Sequence, residues 1–175
     1  MHINFEFKAR ANDISKLEAL LLKQQPLFIG DDRQIDTYFN VENGRLKLRE
    51  GNIENALIHY ERINMAAAKQ SNVLLYQHQP DKSLKEILIK ALGIKTVVDK
   101  KRRIYFIDNV KFHFDEVQQL GTFVEVEAID KDGSMGVDKL KEQCSVYIDL
   151  FKIDKKDFVA ESYSDLLLAR KSSTI

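Results

Sequence analysis

The segment I-N-F-E-F-K-A-R at residues 3–10 predicts a β-strand with one buried face, because its apolar and polar residues alternate strictly. In a β-strand, residues two positions apart point to the same side. Ile3, Phe5 and Phe7 therefore share one face, whereas Glu6 and Lys8 share the other. A strand of this kind buries one face in a core and carries charge on the opposite face.

Charges recur at the same spacing along the rest of the chain, in segments that each carry mainly one sign. These segments are Arg45-x-Lys47-x-Arg49, Arg62 after Ile58 and Tyr60, Lys100-x-Arg102, His113-x-Asp115 and Glu125-x-Glu127. Each would present a basic or acidic pair from one strand face. Because the signs are sorted by segment, the pattern indicates a site that holds metal ions and polyanions together.

The composition is that of a single soluble domain. The chain has 175 residues, with 27 basic and 27 acidic side chains, so net charge gives no reason to expect nucleic-acid binding. We expect one domain over residues 1–170 and a frayed tail over 171–175. The first residues lack a signal peptide's apolar core and a membrane span, and Cys144 is the only cysteine, which excludes an internal disulfide and a Cys-based zinc site. A cytoplasmic protein that does not bind membranes is expected.

Turn and cap residues divide the chain into about eight strands and three or four helices. Asn12 or Asp13 is available to cap the first helix, and Ser83 with Glu86 forms a capping box before the second. The predicted strand pairs are residues 34–39 with 45–50, 56–64 with 72–79, and 97–107 with 110–114, followed by a strand at 123–129. Their short connections predict antiparallel pairing.

Two architectures satisfy this pattern. In a closed barrel, amphipathic helices cover the apolar strand faces from outside and the charged faces surround a polar lumen. In an open α+β sheet, the charged face simply meets water, which the pattern alone favours because antiparallel sheets commonly solvate one face.

Several motifs resemble those of one known family. N-F-E-F-K-A-R at residues 4–10 resembles the opening signature of the CYTH superfamily, the triphosphate tunnel metalloenzymes, which is usually written E-x-E-x-K. Further motifs that resemble the family's are Q-I-D-T-Y-F at 34–39, G-R-L-K-L-R-E at 44–50, L-I-H-Y-E-R at 57–62, V-x-K-x-R-x-x-Y at 98–105, F-D-E-V-Q-Q-L-G-T-F-V-E-V-E at 114–127 and S-Y-S-D-L-L at 162–167. They follow the family's order across nearly the whole chain, and they most resemble the branch of class IV adenylate cyclases.

The resemblance implies a closed eight-stranded antiparallel barrel, a triphosphate tunnel, with a bound Mg²⁺ or Mn²⁺. It implies metal ligation by Glu6, Asp115, Glu125 and Glu127, with Asn4 as a weaker ligand, and triphosphate binding by Lys8, Lys47, Arg49, Arg62, Lys100 and Arg102. Of these residues, Lys8, Arg49 and Glu6 are the expected catalytic ones. Asn4 departs from the family pattern, because its amide oxygen can ligate a hard cation but carries no charge. A homodimer is also expected from the resemblance.

Three functions remain open. The resemblance favours a cyclase that converts ATP to cyclic AMP and pyrophosphate. A triphosphatase, which releases orthophosphate, needs the same metal and the same cations. A module that binds triphosphate without cleaving it is the third, because Asn4 weakens the expected metal site. For His113, a structural hydrogen-bonding role is favoured over a role as general base or metal ligand.

Overall fold

A computed structural model describes the backbone of residues 2–63 and 69–172 and the side chains of residues 3–61 and 70–172. The strands in this part of the chain are β1 (His2–Arg10), β2 (Leu27–Phe39), β3 (Arg45–Glu50), β4 (Ala56–Ile63), β5 (Lys69–Gln77), β6 (Ile94–Ile107), β7 (Val110–Val117) and β8 (Gly121–Asp130). The helices are α1 (Ile14–Leu22), α2 (Lys82–Leu92), α3 (Val137–Phe151) and α4 (Tyr163–Ser172), with a 3₁₀ turn at Lys155–Asp157.

The strands form a closed antiparallel barrel in the order β1-β5-β4-β3-β2-β6-β7-β8. The ring closes through β1, which pairs with β5 on one side and with β8 on the other. Closure leaves the charged strand faces inside and gives every strand two neighbours. The barrel is therefore confirmed, and the open sheet that the pattern alone favoured is wrong.

The apolar faces of β1, β7 and β8 point outward and are covered by helices. Phe7, Phe112 and Val126 belong to a core that α1 and α3 complete from outside with Leu21, Leu140 and Phe151. Cys144 of α3 lies in the same core, where burial raises the pKa of its thiol to about 12. This residue is therefore a packing residue, as the sequence predicted.

Two local predictions need correction. The strand β2 begins at Leu27 rather than at residue 34, and its register shifts between Phe28 and Gly30, where the glycine has a φ of 148°. This irregularity breaks the alternation that would have indicated a strand. Helix α2 is capped by Asp81, whose side chain accepts a hydrogen bond from the backbone N–H of Ser83, so that Ser83 is not the cap.

One end of the barrel is filled by α4. Its Tyr163 and Leu167 are buried inside the ring against Val98, Val117 and Phe123. The other end is where β4 begins and β5 ends, with Ala56 paired to Gln77. Helix α4 ends at Ser172 and thus includes the first two residues of the expected tail, while residues 173–175 lie outside the described part. No described helix combines the length and the apolar character that crossing a membrane requires.

Candidate active site

A cavity of about 890 Å³ occupies the barrel lumen. The alternation of each strand brings together charged residues that are far apart in sequence. The predicted site residues that line the cavity are Asn4, Glu6, Lys8, Lys47, Arg49, Lys100, Arg102, Glu125 and Glu127. Arg62 lies on β4, but its side chain falls outside the described residues.

The run 100–103 shows how the alternation sorts these charges. Lys100 and Arg102 are buried on the lumen side, as predicted, whereas Arg103 lies on the outer face and pairs there with Glu18 and Asp31. Lys101 is also on the outside, with 73% of its side chain exposed. Only half of this basic run therefore contributes to the cavity.

Asp36 organises one group of cations. Its carboxylate accepts hydrogen bonds from Lys100 Nζ at 2.6 Å, Lys47 Nζ at 3.0 Å and both Nε and Nη2 of Arg49 at 2.8 and 3.0 Å. Burial alone would raise the pKa of Asp36, but Arg49, Lys100 and Lys47 hold it well below its usual range. Three cations thus share one carboxylate and retain an excess of positive charge beside the cavity. We call Asp36, Lys47, Arg49 and Lys100 the cation cluster.

Lys100 is the most perturbed member of the cation cluster. Burial lowers the pKa of its ammonium group to about 7, with Asp36 opposing the shift and Arg49, Arg102 and Lys47 adding to it. An added anion would relieve this repulsion between cations. The cation cluster is thus better suited to an anionic ligand than to an empty lumen.

Arg102 and Asp115 form a buried, two-point ion pair. Arg102 Nε donates to Asp115 Oδ1 at 2.7 Å and Nη2 donates to Oδ2 at 2.5 Å, while the Tyr163 hydroxyl donates to Oδ2 at 2.8 Å. Both oxygens of Asp115 are therefore occupied, and the residue is fully buried behind the cavity wall. In the structure it is the counter-ion of Arg102, and a metal could reach it only by displacing these partners.

Glu125 links several of the remaining predicted residues. It accepts a hydrogen bond from Arg102 Nη2 at 2.8 Å, its other oxygen lies 3.7 Å from Lys8 Nζ, and His113 Nδ1 lies at 3.3 Å. Burial opposes ionisation, but Lys8, His113 and Arg102 hold the pKa of Glu125 well below its usual range. Burial lowers the pKa of His113 to about 3, so its imidazole is neutral near pH 7.

Two carboxylates, Glu6 and Glu127, face each other from neighbouring strands. Burial, reinforced by the charge of Glu6, raises the pKa of Glu127 to about 7. Glu127 accepts a hydrogen bond from the amide nitrogen of Asn4, whereas Asn4 Oδ1 is buried without a hydrogen-bond partner among the described residues. This group of oxygen donors, with repelling charges and an unsatisfied carbonyl, fits a hard divalent cation.

The carboxylates are not already gathered around one point. In residues 3–61 and 70–172, no three His, Cys, Asp or Glu side chains form a cluster able to hold a metal as they stand. The reason lies in their present partners, since Asp115 and Glu125 are engaged by Arg102, Lys8 and His113. Glu6, Glu127 and Asn4 lie on the neighbouring strands β1 and β8, line the cavity and supply oxygen donors for a metal.

Four charged residues that line the lumen cavity were not predicted from the sequence: Asp36, Glu54, Lys111 and Lys131. Asp36 faces Arg49 across the β2–β3 pairing, and Lys111 lies two residues before His113 on the same strand face. Lys111 forms an ion pair with Glu54, which also accepts from Arg49 Nη1 at 2.9 Å. Lys111 could have been predicted to face the lumen, because it lies two residues from His113 and therefore on the same strand face. No pattern in the neighbouring sequence distinguished Asp36 from a residue that faces solvent.

A closed antiparallel barrel with a charged lumen defines a class of small barrel proteins whose interior is polar. The family model of the CYTH domain matches residues 2–163, and the chain belongs to that family.

Known proteins resemble the chain over almost its full length. A protein of Methanocaldococcus jannaschii, provisionally named an adenylate cyclase, is 26% identical over 94% of this chain and 98% of its own length. A solved structure from Pyrococcus horikoshii OT3, whose name states no activity, superposes with a TM-score of 0.79 at 22% identity, covering 95% of this chain and 99% of its own. A Hippeastrum protein, provisionally named an adenylyl cyclase and described as having a dominant triphosphatase activity, superposes with a TM-score of 0.62 at 13% identity, covering 98% and 96%.

Proposed function

We propose that this chain binds a triphosphate together with a divalent cation in its lumen and cleaves it. The observation that carries the proposal is the separation of charge within one cavity. The cation cluster lies on one side, and the carboxylates Glu6 and Glu127 lie on the strands β1 and β8. A polyanion with its metal needs both kinds of group within reach of the same phosphates.

The cations have separate tasks in this proposal. Arg49 and Arg102 already bind carboxylates, and their remaining guanidinium N–H groups would bind phosphate oxygens, while Lys8, Lys47 and Lys100 act as point charges. Arg62 belongs to the proposed set because of its place on β4, opposite Ser71. Lys8 and Arg49 are the expected catalytic cations, since charge that develops on oxygens during cleavage would be stabilised by donors already in position.

The metal would be held by Glu6, Glu127 and Asn4, with Glu125 next to them. Oxygen donors of this kind suit Mg²⁺ or Mn²⁺. When bound, such an ion neutralises phosphate oxygens and orients the triphosphate. We leave Asp115 in the role of positioning Arg102, because both of its oxygens already accept hydrogen bonds.

The leading reaction is the cyclase reaction. The ribose 3′-oxygen of ATP would attack the α-phosphorus, the bond from that phosphorus to the bridging oxygen of the β-phosphate would break, and pyrophosphate would leave as the 3′ proton passes to water. Membership of the CYTH family and the name of the relative from M. jannaschii support this proposal.

Hydrolysis is the second candidate. Water would replace the ribose oxygen as the nucleophile and attack the terminal phosphorus. The bond from that phosphorus to the bridging oxygen would break, so that orthophosphate and the shortened diphosphate leave while the proton of the attacking water passes to solvent. The observation in its favour is the dominant triphosphatase activity ascribed to the Hippeastrum protein, which has the same fold. The geometry of the lumen is compatible with either nucleophile. The reaction products therefore distinguish the cyclase from the triphosphatase.

The test is turnover of ATP and of tripolyphosphate with Mg²⁺ or Mn²⁺, with the products separated by chromatography. Cyclic AMP with pyrophosphate would establish the cyclase, and orthophosphate without cyclic AMP the triphosphatase. Lys100→Met should abolish either activity, and Lys101→Met is the matched control, because the neighbouring lysine lies outside the barrel.

Two further variants separate catalysis from binding alone. Glu6→Gln should retain triphosphate binding but lose turnover. If the native chain binds without producing either product and Asn4→Glu creates turnover, the chain is a binding module whose metal site is incomplete. Native turnover that Glu6→Gln leaves intact would contradict the proposed metal site.

A further inference from the structure

The inner wall formed by β4 and β5 differs from the rest of the lumen. Among the described side chains of these two strands, those that line the cavity carry no charge: Ala56, Ile58, Tyr60, Ser71, Val73, Leu75 and Gln77. Arg62, which we assign to the triphosphate, lies opposite Ser71 at the deep end of this wall. From Ser71 toward the open end a triphosphate gains nothing from the wall, since apolar surface cannot replace the water that solvates its oxygens. We therefore expect a part of the ligand other than the triphosphate to contact this wall.

The wall is openly accessible from the cavity at Leu75, whereas its other apolar residues, Ala56, Ile58, Tyr60 and Val73, are buried in the core that includes Tyr163. Leu75 lines the cavity and is still 46% exposed, whereas its neighbour Leu74, on the outer face of β5, does not line the cavity. Val73 lies next to Leu75 on the same inner face, two residues deeper in the barrel. Exposed apolar surface inside a concave site is typical of a pocket for an apolar or aromatic ligand group.

The apolar wall adjoins the cation cluster. Lys47 Nζ belongs to that cluster through Asp36 and also lies 5.8 Å from the ring centre of Tyr60. Ile58 pairs directly with Lys47 across β3 and β4. A group that is covalently attached to a phosphate held by Lys47 would therefore reach the wall.

Ser71 supplies a polar group at the deep end of the wall. Only 2% of this residue is exposed, it lines the cavity, and its hydroxyl has no hydrogen-bond partner within the described part of the chain. It lies opposite Asn4 of β1, next to the proposed metal ligands. A buried hydroxyl without a partner is uncommon and costs stability, so a ligand hydroxyl is the partner that this position lacks.

We propose that the β4–β5 wall is a nucleoside subsite, an inference that rests on the proposed function of the same cavity. A sugar hydroxyl of a nucleoside triphosphate bonds to Ser71, the base packs against Val73 and Leu75, and the amide of Gln77 meets the edge of the base at the rim. The order of these residues along β5 sets the direction of binding. Since α4 fills the far end, the phosphates enter first and the base stays nearer the open end.

The first experiment uses the unaltered protein. Isothermal titration calorimetry at low temperature, in the presence of Mn²⁺, measures the dissociation constants of ATP, 2′-deoxy-ATP, 3′-deoxy-ATP and tripolyphosphate. ATP should bind about tenfold more tightly than tripolyphosphate, and loss of the hydroxyl that meets Ser71 should weaken binding about five- to tenfold. Equal affinities for all four compounds would overturn the nucleoside subsite.

Variants then locate the subsite. Ser71→Ala and Leu75→Ala should each weaken the binding of ATP about five- to tenfold relative to the binding of tripolyphosphate. Ser71→Ala should also remove the difference in affinity between ATP and one deoxy analogue. Leu74→Ala, on the outer face, is the control and should leave the ratio unchanged. If both variants weaken the two ligands equally, the wall does not hold the nucleoside.

The outcomes separate this inference from the proposed function. If tripolyphosphate binds and is cleaved but ATP gains nothing from its nucleoside, only the subsite is overturned. If neither compound binds, the triphosphate site and the subsite fail together.

Discussion

Glu6 and Glu127 lie directly opposite each other on β1 and β8, and both line the lumen. Like charges at such a cross-strand pair repel each other. The pKa of Glu127, raised to about 7 first by burial and then by Glu6, shows the same conflict. The pair therefore disfavours the metal-free fold and favours a bound cation.

Neutralising one member of this pair should stabilise the metal-free protein. We expect Glu127→Gln to raise the unfolding temperature at pH 8 without metal, because the repulsion disappears while Asn4 keeps an acceptor. The native chain should instead be stabilised by Mn²⁺, by about 2.7 kcal/mol at a hundred times Kd. Glu127→Gln should lose most of this gain.

Thermal unfolding with and without Mn²⁺ measures both effects. Glu116→Gln is the control, since 66% of that side chain is exposed on the outer face of β7. An equal gain from Mn²⁺ in the native chain and in Glu127→Gln would show that Glu127 does not ligate the metal.

The raised pKa of Glu127 also predicts a pH dependence. The folded value of about 7 lies above the ordinary value of 4.5, so the folded protein holds this proton more tightly than the unfolded chain does. The contribution to stability is complete below about 4.5 and disappears as the pH rises through about 7.

Unfolding temperatures of the metal-free native chain and of Glu127→Gln should therefore diverge across this range. The native chain should lose stability relative to the variant as the pH rises from 4.5 to 7, and the difference should level off above. Parallel curves of unfolding temperature against pH for the two proteins would contradict a raised pKa of Glu127.

The Arg102–Asp115 pair predicts a structural role for Asp115. Asp115→Asn leaves a buried guanidinium with less compensation and should lower the free energy of unfolding by about 3 kcal/mol or more. The gain in unfolding temperature with Mn²⁺ should persist, because we propose that Glu6, Glu127 and Asn4 hold the metal. A variant with native stability that no longer responds to Mn²⁺ would instead make Asp115 a ligand.

The charge of Asp36 should determine how strongly a bound anion stabilises the cation cluster. Asp36→Asn removes the negative charge that Lys47, Arg49 and Lys100 share, so we expect a fall of about 3 kcal/mol in the free energy of unfolding. Tripolyphosphate should restore much of this loss, giving a larger rise in unfolding temperature than in the native chain. Asp99→Asn, at an exposed pair with Arg33, is the matched control. A smaller rise in Asp36→Asn than in the native chain would contradict this role for Asp36.

The alternation of charge and apolar residues was sufficient to predict which side of many strands faces the lumen. Lys100 and Arg102 were separated correctly from Lys101 and Arg103 because side chains in a strand alternate with a period of two. The same rule failed at the start of β2, where the irregularity at Gly30 shifts the register. Local patterns are informative only where the strand geometry is regular.

The antiparallel strands, the inward charges and the family motifs could be predicted from the sequence, because these features depend on spacing within short segments. The partners of those charges could not be predicted in this way and are visible only in the folded barrel. Asp36 gathers three cations from β3 and β6, and Asp115 is occupied by Arg102 and Tyr163. The Ser71 hydroxyl, beside an apolar wall, has no hydrogen-bond partner among the residues that the structure describes. These partners depend on barrel closure, because closure sets the distance between strands that are remote in sequence. That distance determines which charges pair within the protein and which polar groups remain available to a ligand.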